Sequence, residues 1–262
     1  MTLGEHLEEL RARVLVSIIS ILGTMVICWL LFDNVIVNFM KAPLDMVAGT
    51  YNNPFAFRNP LLDILRDKLN PDLASLGRLK VLSVFEPITI RFKVSLLAGV
   101  ILASPIVTWQ AWKFVAAGLY SHEKKCVTTY GIASLLLFLV GCAFSFFILF
   151  PIATAVMLGN TQFDIALRLE YYVSQATFFT IGVGSMFEMP LVLLFLAKIG
   201  VVDADTLRSK RRHVMLAILV IAAMITPPDP LTQIVVAIPM LGLYETSILI
   251  LKLKEGKSED GR

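Results

Sequence analysis

Charge is scarce in this chain. Only 16% of its 262 residues are Asp, Glu, Lys or Arg, while 57% are apolar, a balance that excludes both a disordered chain and an ordinary soluble domain. Histidine and cysteine are rarer still, at three residues each. Cys28 and Cys142 fall inside apolar runs and Cys126 borders one. None stands in an external loop, so no structural disulfide is expected. The shortage of histidine removes a zinc-protease reading of His122-Glu123-Lys124-Lys125-Cys126, whose second histidine is missing. Gly256-Lys257-Ser258 ends like a phosphate loop, but Leu251 occupies the place of its first glycine and no strand precedes it. Gly182-Val183-Gly184 lies within an apolar run and reads as a close helix contact. There is no intramembrane aspartate pair and no Ser–His arrangement. The sequence therefore calls for no catalytic site, metal, cofactor or nucleic acid.

What is abundant is long apolar sequence. Six segments, near 14–32, 94–115, 127–150, 172–199, 213–226 and 234–251, are divided by charged or proline-marked breaks. A helix rising ~1.5 Å per residue needs roughly 20 apolar residues to cross a ~30 Å hydrocarbon core. In lipid the backbone must satisfy its own hydrogen bonds, so these segments are expected to be helices. The fold class is an all-α membrane protein of six spans, a single membrane domain over 1–262. The fifth segment, rising only about 21 Å, and the sixth make two short C-terminal spans.

Basic residues orient the bundle. Arg11 and Arg13 precede the first segment, Lys113, Lys124 and Lys125 border the second connection, and Lys198, Arg208, Lys210, Arg211 and Arg212 fill the fourth. The opposite side has Arg168 in the third connection and no base in the Pro227–Pro230 turn. The long first connection mixes both signs and counts weakly. Both termini are expected to be cytoplasmic. The start is not a cleavable signal, because Glu5, Glu8 and Glu9 stand where a signal would be basic.

The first ten residues form a short amphipathic approach, with Leu3, Leu7, Leu10 and then Val14 recurring at helical spacing. The connection over 33–88 is long enough to fold as an external cap. Within it Asn59-Pro60 starts a helix, Leu61, Leu62, Leu65 and Leu69 give it an apolar face, and Asn70-Pro71 stops it. Pro105, Pro190 and Pro239 lie inside three spans and suggest a kinked, concave bundle.

Two groups of polar residues are candidate sites. Glu188 falls near mid-span, where a carboxylate costs about 2.5–3.5 kcal/mol to insert, so it must be protonated, partnered or facing a wet cavity. Thr177, Thr180 and Gly184 are expected on its face. A structural bond to a neighbouring helix and a functional role both remain open there. Glu9 and Glu123 are the second group. They form either local salt bridges with Arg11, Arg13, Lys124 and Lys125 or an acidic patch for a basic ligand, and periodicity does not choose.

These residues resemble one family. His6-Leu7-Glu8-Glu9-Leu10-Arg11-Ala12-Arg13 is similar to the amino-terminal signature of TatC, the receptor subunit of the twin-arginine protein export system. Further matching stretches are Lys93-Val94-Ser95-Leu96-Leu97-Ala98-Gly99 with Ala103-Ser104-Pro105, and Trp109-Gln110-Ala111-Trp112-Lys113-Phe114-Val115 with Gly118-Leu119-Tyr120-Ser121-His122-Glu123. Phe187-Glu188-Met189-Pro190, Leu207-Arg208-Ser209-Lys210-Arg211-Arg212 and Thr226-Pro227-Pro228-Asp229 follow, with Gln233, Ala237-Ile238-Pro239 and Tyr244-Glu245 beyond. Ala117 stands where the family usually has proline, Phe85-Glu86-Pro87-Ile88 matches only in part, and 51–80 looks like an insertion.

The resemblance implies a receptor rather than an enzyme, in the cytoplasmic (inner) membrane of a prokaryote. It would bind signal peptides with paired arginines and, with single-span TatA/TatB-type partners and further copies of itself, move folded cargo using the proton-motive force. Carried over by position, Glu9 and Glu123 would contact the paired arginines with Leu10 and Phe114 nearby. Glu188, with Thr177, Thr180 and Gln233, would meet a partner helix. The competing class is a proton-coupled solute transporter using Glu188. That reading predicts repeats between the two halves, and the unequal loops show none.

Overall fold

The computed structural model describes residues 3–31, 33–49, 53–69, 83–118, 124–159, 168–200, 202–226 and 230–259. Every regular element among them is helical. The first, α1 (Leu3–Leu31), fuses the amphipathic approach to the first apolar segment. No proline or glycine between Glu5 and Leu22 gives the chain a reason to break there. The first connection holds α2 (Asp33–Ala48) and α3 (Pro60–Leu69). The second apolar segment becomes the 32-residue α4 (Glu86–Ala117), which starts eight residues before the apolar run because Pro87 is well placed in a first helical turn.

The third segment is a continuous stack of α5 (Lys124–Phe144), a widened π turn (Ser145–Leu149) and α6 (Phe150–Gly159). The fourth is α7 (Leu169–Met186) and α8 (Met189–Lys198), interrupted at Phe187-Glu188. Pro190 has no N–H to give and its ring crowds the preceding turn, so the interruption falls there. Pro105 and Pro239, by contrast, sit inside helices that run on through them. The short α9 (Ala204–Ser209) leads to α10 (Arg211–Ile225) and α11 (Pro230–Glu259).

Among the described residues, five helical stretches are long and apolar enough to cross a membrane: Gly4–Leu30, Glu86–Ala117, Val127–Leu158, Leu169–Lys198 and Pro230–Leu253. The segment expected to be the fifth span is α10, whose 15 residues rise about 22 Å.

The core joins α4, α7, α10 and α11 around Val94, Phe179, Val183, Ile218, Val236, Met240 and Tyr244, all buried. Close contacts are made by glycine, as the Gly182–Gly184 pattern suggested. A Cβ on Gly184 would meet Cys142 Sγ at 2.5 Å, and one on Gly99 would meet the Met25 backbone at 2.9 Å. The Gly99 contact seats α1 on α4, and Thr24 Oγ1 adds a hydrogen bond to the Gly99 carbonyl at 2.9 Å. Elsewhere α1 exposes its apolar side chains, from Leu7 to Leu30. Small residues at the contact and large apolar ones outward are what helices in lipid need, since close packing rather than water exclusion holds them together.

In the first connection, Leu62 of α3 is buried with Met46 and Val47 of α2 and Ala155 and Leu158 of α6. Leu61, expected on the same covered face, is 49% exposed. Adjacent helical residues point about 100° apart, so burying Leu62 turns Leu61 outward. Phe39 of α2 stacks on Phe146 of the π turn at 4.6 Å.

Candidate functional site

The approach helix and the end of α4 build one polar cluster. His6, Glu9 and Arg13 lie three and four residues apart on α1, and Gln110 and Phe114 four apart on α4, so each set lines one helix face. The His6 ring stacks on Phe114, with centroids 4.5 Å apart. Glu9 Oε1 accepts hydrogen bonds from both Nε and Nη2 of Arg13, the former at 3.1 Å. Arg13 Nη1 also donates to Gln110 Oε1 at 3.4 Å. Glu9 Oε2 is buried and accepts no hydrogen bond among the described residues. Leu10 is 37% exposed beside it. The structure thus brings Glu9, Leu10 and Phe114 to one end of the α1–α4 pair. Glu123 lies outside the described residues. The local salt bridge that the sequence left open for Glu9 forms with Arg13, four residues on, whereas His6 and Gln110 were not singled out as site residues.

A second polar locus surrounds Glu188. It stands at the α7–α8 interruption and lines a cavity of about 230 Å³ with Ser104 and Thr108 of α4, Ile181 and Ser185 of α7, and Ile21 of α1. The Ser134 hydroxyl of α5 lies beside the carboxyl without a hydrogen bond of ordinary geometry. The partners expected for Glu188 are therefore corrected. Ile181 and Ser185 share its side, at seven and three residues, whereas Gly184 packs on Cys142 and Thr180 lines a separate cavity of about 130 Å³ with Cys142 and Phe146. Polar periodicity alone could not tell which side of α7 faces α5. The Thr177 and Thr180 hydroxyls are buried and have no hydrogen-bond partner among the described residues. Gln233 is on α11, where Nε2 donates to the Leu219 carbonyl of α10 at 2.9 Å. It is not among the residues lining the Glu188 cavity.

A third cluster was not anticipated. Glu86, buried at the start of α4, accepts the Glu170 N–H of α7 at 3.1 Å and the Ser83 N–H at 3.2 Å. Arg168 pairs with both Glu86, at 3.5 Å, and Glu170, at 3.4 Å. Lys93 reaches Glu170 Oε1 at 3.2 Å and Ser174 Oγ at 2.7 Å. A carboxylate from one helix thus caps the N-terminus of another, where the dipole favours negative charge.

The family model for the Sec-independent protein translocase protein (TatC) matches residues 5–239. The chain belongs to the TatC family. The TatC of Aquifex aeolicus is 35% identical over 264 residues, covering 99% of this chain and 98% of the relative. That of Helicobacter pylori strain 26695 is 32% identical, covering 98% and 90%, and TatCy of Bacillus subtilis is 32% identical, covering 99% and 92%. A crystal structure of TatC, a twin-arginine translocase receptor, in the detergent DDM superposes with a TM-score of 0.76 at 34% identity, over 94% of this chain and 99% of that one. With this membership the chain is a multi-span helical membrane component of the Sec-independent translocase. A solute-transporter reading finds no support among these relatives.

Proposed function

We propose that this TatC-family protein is the receptor of its pathway, recognising Arg-Arg signal peptides at the end of the bundle where α1 meets α4. The observation that carries the proposal is the His6–Phe114 stack, because it holds Glu9 and Leu10 of one helix beside Phe114 of another. Carboxylate, aliphatic and aromatic groups together suit a peptide that offers guanidinium groups and then an apolar stretch. Guanidinium makes directed, bidentate bonds to carboxylate that an ammonium reproduces poorly. Glu123, next in sequence to Lys124 at the start of α5, is the second carboxylate of this site.

In the same reading the chain crosses the inner membrane six times with both termini cytoplasmic, α10 being a short span in a concave, kinked bundle. The first connection with α2 and α3 caps the opposite face. Single-span TatA/TatB-type subunits and further copies of this chain assemble around it, and the proton-motive force drives transfer of folded cargo. Glu188 receives a polar group of a partner helix in its cavity, beside Ser104, Thr108 and Ser185. No catalysis is involved.

Photo-crosslinking tests the site. A peptide carrying a photoreactive residue next to its paired arginines is expected to label α1 near Leu10 and α4 near Phe114, and unlabelled peptide should compete. Labelling confined to α10 and α11 would contradict the assignment.

A further inference from the structure

We infer that Arg13 is a built-in competitor for the ligand site: its guanidinium occupies Glu9 at rest and has to be displaced before a peptide arginine can bind. The inference rests on the receptor reading of the Glu9 site. The geometry carries it. Arg13 Nε and Nη2 both bond one oxygen, Glu9 Oε1, and the chemistry is that of the proposed ligand, a planar guanidinium against a carboxylate. The other oxygen, Glu9 Oε2, is shielded and accepts nothing among the described residues. A buried acceptor without a donor is a cost, and a peptide guanidinium that replaced Arg13 and bonded both oxygens side-on would remove it.

Gln110 supplies the alternative. Its Oε1 already accepts from Arg13 Nη1 at 3.4 Å, so Arg13 can swing from Glu9 towards α4 without losing every partner. Glu9 and Arg13 side chains are only 21% and 22% exposed, which keeps water from competing as strongly as it does at an open surface pair. The site is thus a two-state element. With Arg13 on Glu9 it is closed, and with Arg13 on Gln110 it accepts ligand. Apparent affinity falls by the fraction of time the site is open. That reduction applies equally to every ligand of Glu9.

The test uses the full chain in lipid nanodiscs and a fluorescent peptide bearing paired arginines followed by an apolar stretch. Arg13→Gln is expected to tighten binding by about three- to tenfold. Arg13→Lys, which keeps the charge but not the fork, should fall between the two. Gln110→Ala is expected to weaken binding in the native background and to have no effect when combined with Arg13→Gln. The preference for an Arg-Arg over a Lys-Lys peptide should stay the same in Arg13→Gln, since displacement costs both ligands equally. If Arg13 merely positioned Glu9, Arg13→Gln would weaken binding or shift that preference, and either result overturns the inference. Glu9→Gln separates the two levels. Loss of binding there without tightening in Arg13→Gln defeats the competition alone. Unchanged binding in Glu9→Gln defeats the receptor reading together with it.

Discussion

Glu9 and Glu86 are carboxylates held in opposite ways. Glu86 is buried, with backbone N–H groups on both oxygens and Arg168 alongside. Removing it takes away one of the two carboxylates that Arg168 pairs with, and it leaves the Glu170 and Ser83 N–H groups without their acceptor. Glu86→Ala is therefore expected to lower unfolding stability by about 2 kcal/mol, read as an earlier thermal transition in detergent. Glu9 has a single internal partner and one unused oxygen, so Glu9→Gln should leave that transition where it is while removing peptide binding. Glu188 is a third case, lining a cavity with Ser104, Thr108 and Ser185. A partner group there would trade two poorly satisfied polar atoms for one bond of about 1–2 kcal/mol. Glu188→Ala is expected to reduce partner docking and export while peptide binding persists, and Glu188→Gln to retain part of the activity. Unmodified export in both variants would make Glu188 structural only. Glu188 was legible in the sequence because a lone carboxylate inside an apolar run is conspicuous. Glu86 was not, because its partners Arg168 and Glu170 lie over eighty residues away and nothing local marks them.

Among the helices, the proposed peptide site depends on the contact between α1 and α4. One close point is Gly99 against Met25, about three turns before Gln110 on α4. Gly99→Leu should push α1 outward and weaken peptide binding although no site residue has changed; unaltered affinity in a correctly folded variant would show that the site needs only one helix. On α3, cysteine at position 62 is expected to resist a water-soluble thiol reagent and cysteine at position 61 to react quickly, matching their burial. Equal, rapid labelling would mean that α3 does not pack on α2 and α6. The apolar segments announced most of these helices, and Pro190 announced the α7–α8 interruption. The α2 helix was missed. Asp33, Asn34, Asn38, Lys41, Pro43 and Asp45 interrupt its sequence, and it is helical because Met40, Leu44 and Met46 find a buried face against the other helices, a tertiary effect that local propensity does not contain.

At the scale of the whole molecule, the proposed six-span topology makes α10 a crossing helix that rises about 22 Å against a ~30 Å core, so its ends would be under-covered unless the bilayer thins. Reporter fusions after Glu259 and before Leu3 are expected to report the cytoplasm at both ends; opposite sides would mean that α10 does not cross. Recognition, as we propose it, depends on residues from α1 and α4 that are about a hundred positions apart in sequence and that no single motif could place together. Equilibrium binding of an Arg-Arg peptide and its Lys-Lys counterpart to the chain in lipid nanodiscs tests that claim most directly. Tight binding of the first, at least tenfold weaker binding of the second and loss of both in Glu9→Gln are the predicted result. Equal affinity for the two peptides, or binding indifferent to Glu9, would contradict it.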